Sequence, residues 1–150
     1  MRFRAEKWGF YVTRGVCSDR GYVVWKNERR KMSSLFDNLT DAEILELVEP
    51  IMSNMMEGST EINHPKHTRD FTERMRCIVT PEHLRWVCSD YQAKWGLFEQ
   101  REFVALFRRT ESVAIIWRQF CSRTTSDERV AEAVFTFEDG RIMIDHAMVY

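Results

Sequence analysis

Apolar residues change their period once along this chain. Between residues 39 and 96 they recur every three or four positions, and from residue 99 onward they crowd into runs rich in Val, Ile, Phe, Trp and Tyr. The first period predicts helices and the second predicts strands. Thr40 and Glu43 have the spacing of a capping box, with Leu39 and Ile44 at the two positions of a hydrophobic staple. The helix they open carries Ile44, Leu45, Leu47, Val48, Ile51, Met52, Met55 and Met56, and Gly58 is placed to end it. Pro50 removes one amide donor inside this pattern, which predicts a kink about one turn earlier in a single helix. Residues 59–66 read as a loop, and residues 70–79 as a short helix with Phe71, Met75 and Ile78 on one side. Thr80-Pro81-Glu82 opens the next helix with a cap, a proline at the first helical position and an acid in the first turn. Leu84, Val87, Cys88, Tyr91 and Trp95 form its apolar stripe, and Gly96 stops it.

Four strands are predicted, over 99–109, 112–121, 129–138 and 141–150. The breaks are Thr110-Glu111, the polar run 122–128 and Asp139-Gly140. Asp-Gly tolerates positive φ at both centres of a type I′ turn, so it fixes a hairpin register. Glu138 then faces Arg141, Phe137 faces Ile142, Phe135 faces Ile144, Ala133 faces His146 and Ala131 faces Met148. One face is apolar apart from His146, while Glu132, Thr136, Glu138, Arg141 and Asp145 lie on the other, among Val130, Val134, Met143 and Val149. Trp117 and Arg118 lie on opposite faces of the second strand, and the sequence leaves open which points inward. Helices followed by a strand meander predict an α+β domain, with the helices packed in a curved, antiparallel or mixed sheet.

Residues 1–31 stand apart. The segments 8–13 and 22–26 have strand-like content and would pair as an extra hairpin, ahead of a charged run at 27–31. The expected division is an N-terminal extension over 1–31 and one domain over 32–150. With 44% hydrophobic and 30% charged residues, the composition is that of a chain with its own core. A formal net charge of -1 argues against non-specific nucleic-acid binding, which needs a surplus of Lys and Arg to displace counterions. No apolar run approaches the ~18 residues of a membrane span, so no membrane partner is expected. Cys17, Cys77, Cys88 and Cys121 form no Cys-x-x-Cys pair and read as reduced thiols of a cytoplasmic protein. Asn38-Leu39-Thr40 matches a glycosylation sequon, read as chance in the absence of a secretory signal.

Little in the chain carries recognisable chemistry. His64 and His67, with Glu61 nearby, invite a metal reading, but Pro65 disfavours the helix that would put both rings on one face. The plainer expectation is no metal, with imidazoles capping neighbouring backbone. There is no Gly-x-Ser-x-Gly elbow and no phosphate-binding glycine loop, and six glycines would hardly build a dinucleotide fold. No cofactor is expected.

The element order, the Thr80-Pro81-Glu82 start, Trp95-Gly96-Leu97-Phe98 leading into long strands, and Phe137-Glu138-Asp139-Gly140-Arg141-Ile142 near the end together resemble the nuclear transport factor 2-like, or cystatin-like cone, superfamily. The likeness spans roughly residues 35–150 and is nearest to small bacterial members and the polyketide-cyclase-like branch. It rests on punctuation rather than on a catalytic signature. The resemblance implies a cone-shaped roll whose sheet curls around the helices and leaves a pocket, with dimerisation through the outer sheet face. Here Trp95, Trp117, Phe135 and Ile144 would line that pocket for a small apolar ligand. An interior filled by Phe103, Phe107, Phe135 and Phe137 would exclude catalysis there. Two functions follow: a binding or homodimerising domain, or a cofactor-independent isomerase, cyclase or dehydratase with His146 as base and Tyr91 as hydrogen-bond donor. The alternative readings are His146 at the sheet rim, bonded to a helix, and Tyr91 in the core with its hydroxyl satisfied.

Overall fold

The computed structural model describes Phe36 and residues 38–150, with residues 124–126 described by their backbone alone. The hairpin expected over 8–13 and 22–26 lies outside the described residues. In chain order the elements are α1 (Asp41–Thr60), α2 (His64–His67), α3 (Glu73–Ile78), α4 (Pro81–Trp95), β1 (Phe98–Arg108), β2 (Ser112–Cys121), β3 (Thr124–Glu138) and β4 (Arg141–Val149). The strands form an open antiparallel meander in the order β1-β2-β3-β4, which makes the domain α+β.

The capping box forms as the spacing predicts. The Thr40 hydroxyl accepts from the Glu43 amide at 3.3 Å, and the Glu43 carboxylate accepts from the Thr40 amide at 2.7 Å. α1 remains one helix through Pro50 but runs past Gly58 to Thr60. Gly58 does not end it. A Cβ on Gly58 would lie 2.5 Å from the His67 backbone nitrogen, so the residue is there for close approach of the chain. The expected loop at 59–66 instead contains the single turn α2. Asn63 caps it by accepting from the Lys66 amide at 3.2 Å, and Pro65 sits in the first turn, where a missing N–H costs nothing. α3 is shorter than the 70–79 helix expected, because Phe71 forms a parallel bridge with Ile144 and Thr72 becomes the cap. α4 follows its signals, with Thr80 accepting from the His83 amide and Gly96 at φ +81° past its end.

The core lies between α1 and the inner face of the sheet. On β2 the alternating residues Val113, Ile115, Trp117, Gln119 and Cys121 are buried, which settles Trp117 as inward and Arg118 as outward. Val113, Ile115 and Trp117 join Ile44, Val48 and Met52 of α1 in one core cluster with Phe36, Phe71 and Phe135. Phe103 and Phe107 do not fill the interior: Phe103, at the edge of the sheet, is 42% exposed, and Phe107, which the β1 register shift sets opposite Ala114 on the outer face, is 53% exposed. β3 begins at Thr124, so the polar run 122–128 is mostly strand, and Ser122-Arg123 alone turns the chain. The Ser122 hydroxyl accepts from the Leu97 amide at 2.9 Å, steadying that turn.

Asp139 at φ 54° and Gly140 at φ 78° make the expected turn, and pairs as far as Phe135 with Ile144 hold. Beyond them the register moves by one. Val134 faces His146, Ala133 faces Ala147 and Ala131 faces Val149, with Asp145 the extra residue of a β-bulge. This corrects the sequence expectation: His146 joins Val134 on the outer face, while Ala147 and Val149 turn to the core. One residue expected on the outer face is therefore withdrawn from it, since Val149 packs inward; Met143, paired with Thr136 ahead of the bulge, keeps its outward register although it is 1% exposed.

Replacing Gly58 by Ala would gain up to ~1 kcal/mol of helix propensity. Overpacking a Cβ against the His67 backbone costs about 1–3 kcal/mol. We therefore expect Gly58→Ala to lower the urea midpoint, and an unchanged or raised midpoint would show that α2 yields freely.

Candidate functional site

The interior is filled by side chains. Trp117, Phe135 and Ile144, expected to line a ligand pocket, are fully enclosed in the core, with Trp117 and Phe135 in edge contact at 6.4 Å between ring centroids. The Trp117 indole N–H donates to Glu49 of α1 at 2.8 Å. Arg101 of β1 donates to the same carboxylate and, at 2.9 Å, to the Ser53 hydroxyl. This seam ties the helix to the sheet through groups that are mostly out of water. Trp95 is only partly buried, and the Arg129 guanidinium lies 4.6 Å above its ring.

Tyr91 belongs to the core as well. Its ring stacks on Phe98 at 4.2 Å between centroids, and its hydroxyl accepts from the Gln92 amide at 3.4 Å. Burial pushes its pKa up to about 12, and burial also raises the neighbouring Cys88 thiol. Both stay protonated at neutral pH. Tyr91 lies on the helical side of the sheet and His146 on the other, so the structure does not bring that pair together.

The two histidines of α2 serve the backbone. His64 Nε2 donates to the Val79 carbonyl at 2.7 Å. His67 Nδ1 lies 2.9 Å from the Met55 carbonyl, which can only accept, so that nitrogen carries the hydrogen; Ser59 Oγ is 3.0 Å from the same atom. Glu61 is held by Lys66 at 2.7 Å. Among the described residues no three His, Cys, Asp or Glu side chains converge as a metal site would require.

The outer face of the sheet carries a depression of about 480 Å³. Its floor is apolar, made by Phe107 of β1, Ala114 and Ile116 of β2 and Val134 of β3. Its polar rim is Arg109, Glu132, Asp145 and His146. His146 Nε2 lies 3.0 Å from Glu132 Oε1, and the Tyr150 hydroxyl donates to the other oxygen of that carboxylate at 3.3 Å. A carboxylate only accepts, so Nε2 carries the hydrogen and Nδ1 is the open lone pair of the neutral ring. Asp145 accepts from the Thr72 hydroxyl at 2.9 Å and from Arg74 Nε at 3.1 Å.

Sequence reasoning identified His146 but missed Glu132, Tyr150 and Arg109 as its company. Alternation does place Glu132 on the outer face. What carried His146 there is the bulge at Asp145, which has no local sequence signature. No helix among the described residues is long and apolar enough to cross a membrane. No family model matches the chain, and no curated protein matches it either.

Burial lowers the pKa of His67 below its ordinary value. The unfolded chain therefore takes up a proton first as pH falls. The associated stability is fully present above the unfolded pKa of about 6.5 and is lost as pH drops through that value towards the folded one. Urea midpoints measured at pH 7.5 and 5.5 should fall on acidification, and the fall should shrink in His67→Gln. An equal fall in both proteins would assign it to other groups.

Proposed function

We propose that this chain is a ligand-binding domain of the nuclear transport factor 2-like type that works through the outer face of its sheet. Three observations support the fold part of this reading. The helices precede a four-stranded meander, α1 packs across the inner face, and β1 and β4 both carry register shifts of the kind that bend a sheet towards a cone. The cup of such a cone is here occupied by Trp117, Phe135, Met52 and Phe71. Binding is therefore assigned to the depression over Phe107, Ala114, Ile116 and Val134, whose size suits a small apolar molecule. That depression is the single observation that carries the proposal.

A second reading is favoured by the Glu132 to His146 contact. A carboxylate on Nε2 orients the ring and leaves Nδ1 free to take a proton, so the site has the makings of a general base for isomerase or cyclase chemistry. His146→Ala would abolish turnover of any substrate processed this way, and full retention of turnover would remove His146 from the chemistry.

The binding reading is tested with N-phenylnaphthylamine, an uncharged apolar fluorophore, titrated against the wild-type protein and Ala114→Trp. An indole at Ala114 would fill the floor of the depression, and affinity should drop by about tenfold, the equivalent of ~1.4 kcal/mol. Urea unfolding of both proteins checks that the variant still folds. Equal affinity for the fluorophore would place binding elsewhere. A wild-type dimer that Ala114→Trp dissociates in sedimentation equilibrium would make this face a contact between copies instead.

A further inference from the structure

The charges around the depression are unequally satisfied. Glu132 is engaged by His146 and by the Tyr150 hydroxyl. Asp145 is engaged by Thr72 and Arg74. Both acids of the rim thus have their partners. Arg109 is different: among the described residues its guanidinium has no carboxylate partner, and the backbone of its own residue is occupied in a turn bond from its amide to the Ser112 carbonyl at 2.8 Å. It stands at the end of β1 on the same side as Phe107, which contributes to the apolar floor.

We infer that the depression takes an amphipathic anion, a small molecule with a flat apolar body and one carboxylate or sulfonate head, the head held by Arg109. This rests on the reading of the outer face as a binding surface and adds the charge of the ligand to it. A planar guanidinium presents paired donors that match a carboxylate or sulfonate and is weakly hydrated compared with an ammonium. The apolar body covers Ala114, Ile116 and Val134, while the Glu132 carboxylate, whose oxygens are occupied by His146 and the Tyr150 hydroxyl, forms the opposite wall. Arg109 stands at the β1 end of the depression, and a head group placed there meets the guanidinium first.

Two fluorophores with the same aromatic body separate the claims: anilinonaphthalene sulfonate, which is anionic, and N-phenylnaphthylamine, which is uncharged. Each is titrated against the full chain, Arg109→Gln, Arg109→Lys and Ala114→Trp, with urea unfolding as the check on folding. The wild-type protein should bind the anion about tenfold more tightly than the neutral compound, the scale of one charge-assisted hydrogen-bonded pair. Arg109→Gln should erase that preference without changing affinity for the neutral compound, Arg109→Lys should retain part of it, and Ala114→Trp should weaken both. Binding of both compounds that Ala114→Trp abolishes and Arg109→Gln leaves untouched would overturn the anion inference while the binding surface stands. Indifference of both compounds to Ala114→Trp would overturn the surface and the inference with it.

Discussion

One extra residue in β4 governs how this domain is put together. The Ile144 amide donates to the Asp70 carbonyl at 2.7 Å, and the Ile144 carbonyl accepts from the Thr72 amide at 2.9 Å. The strand is thereby claimed on its free edge by the segment between α2 and α3. Next in the chain, Asp145 must reach Thr72 and Arg74, and it does so as the bulged residue with no partner opposite it on β3. Glu138 at the far end of the hairpin accepts from the Glu73 amide at 2.8 Å, which adds a carboxylate to the start of α3. Burial raises the Glu138 pKa despite this bond, a sign of how far the hairpin end is drawn under the helix. Docking α3 onto β4 and reversing the outward face of residues 146–149 are the same event.

The consequences run to both sides of the sheet. On the inner side, Ala147 and Val149 replace the bulkier His146 and Met148, so the core closes over β3 at Ala131 and Ala133 with small residues facing small residues. That lets α1 pack directly on β2, where Trp117 fills the centre and its one polar atom is satisfied by Glu49. The edge strand β1 bends to follow. Its extra residues near Glu99 and Gln100 leave carbonyls that the buried Gln119 amide satisfies at 3.0 and 3.3 Å, which explains a glutamine on an otherwise apolar face. On the outer side, His146 lands beside Glu132 and Tyr150 and gives the depression its polar wall.

Among the described residues, the space between helices and sheet is taken by aromatic and methionine side chains. The tyrosine expected to assist chemistry lies in that packing, protonated well past neutrality. What remains accessible is the opposite face, where Phe107, Ala114, Ile116 and Val134 make a broad apolar floor. Arg109 is the arginine on its rim.

The local sequence determined much of this on its own. Capping boxes and turns act over two to four residues, so Thr40 with Glu43, Thr80 with Pro81, and Asp139 with Gly140 stood where their spacing put them. Alternation along β2 likewise foretold a strand with one buried face. The signals failed where the deciding contact came from a distant segment. Gly58 read as a stop because a glycine near a helix end commonly is one, but its role is set by the His67 backbone. His146 read as inward because a period of two continues until a bulge interrupts it, and that bulge answers to Asp70, Thr72 and Arg74, some seventy positions earlier. Which elements form was thus written in short-range chemistry. Which face His146 occupies, and so where a ligand could sit, was decided only when remote backbone groups competed for the hydrogen bonds of Ile144.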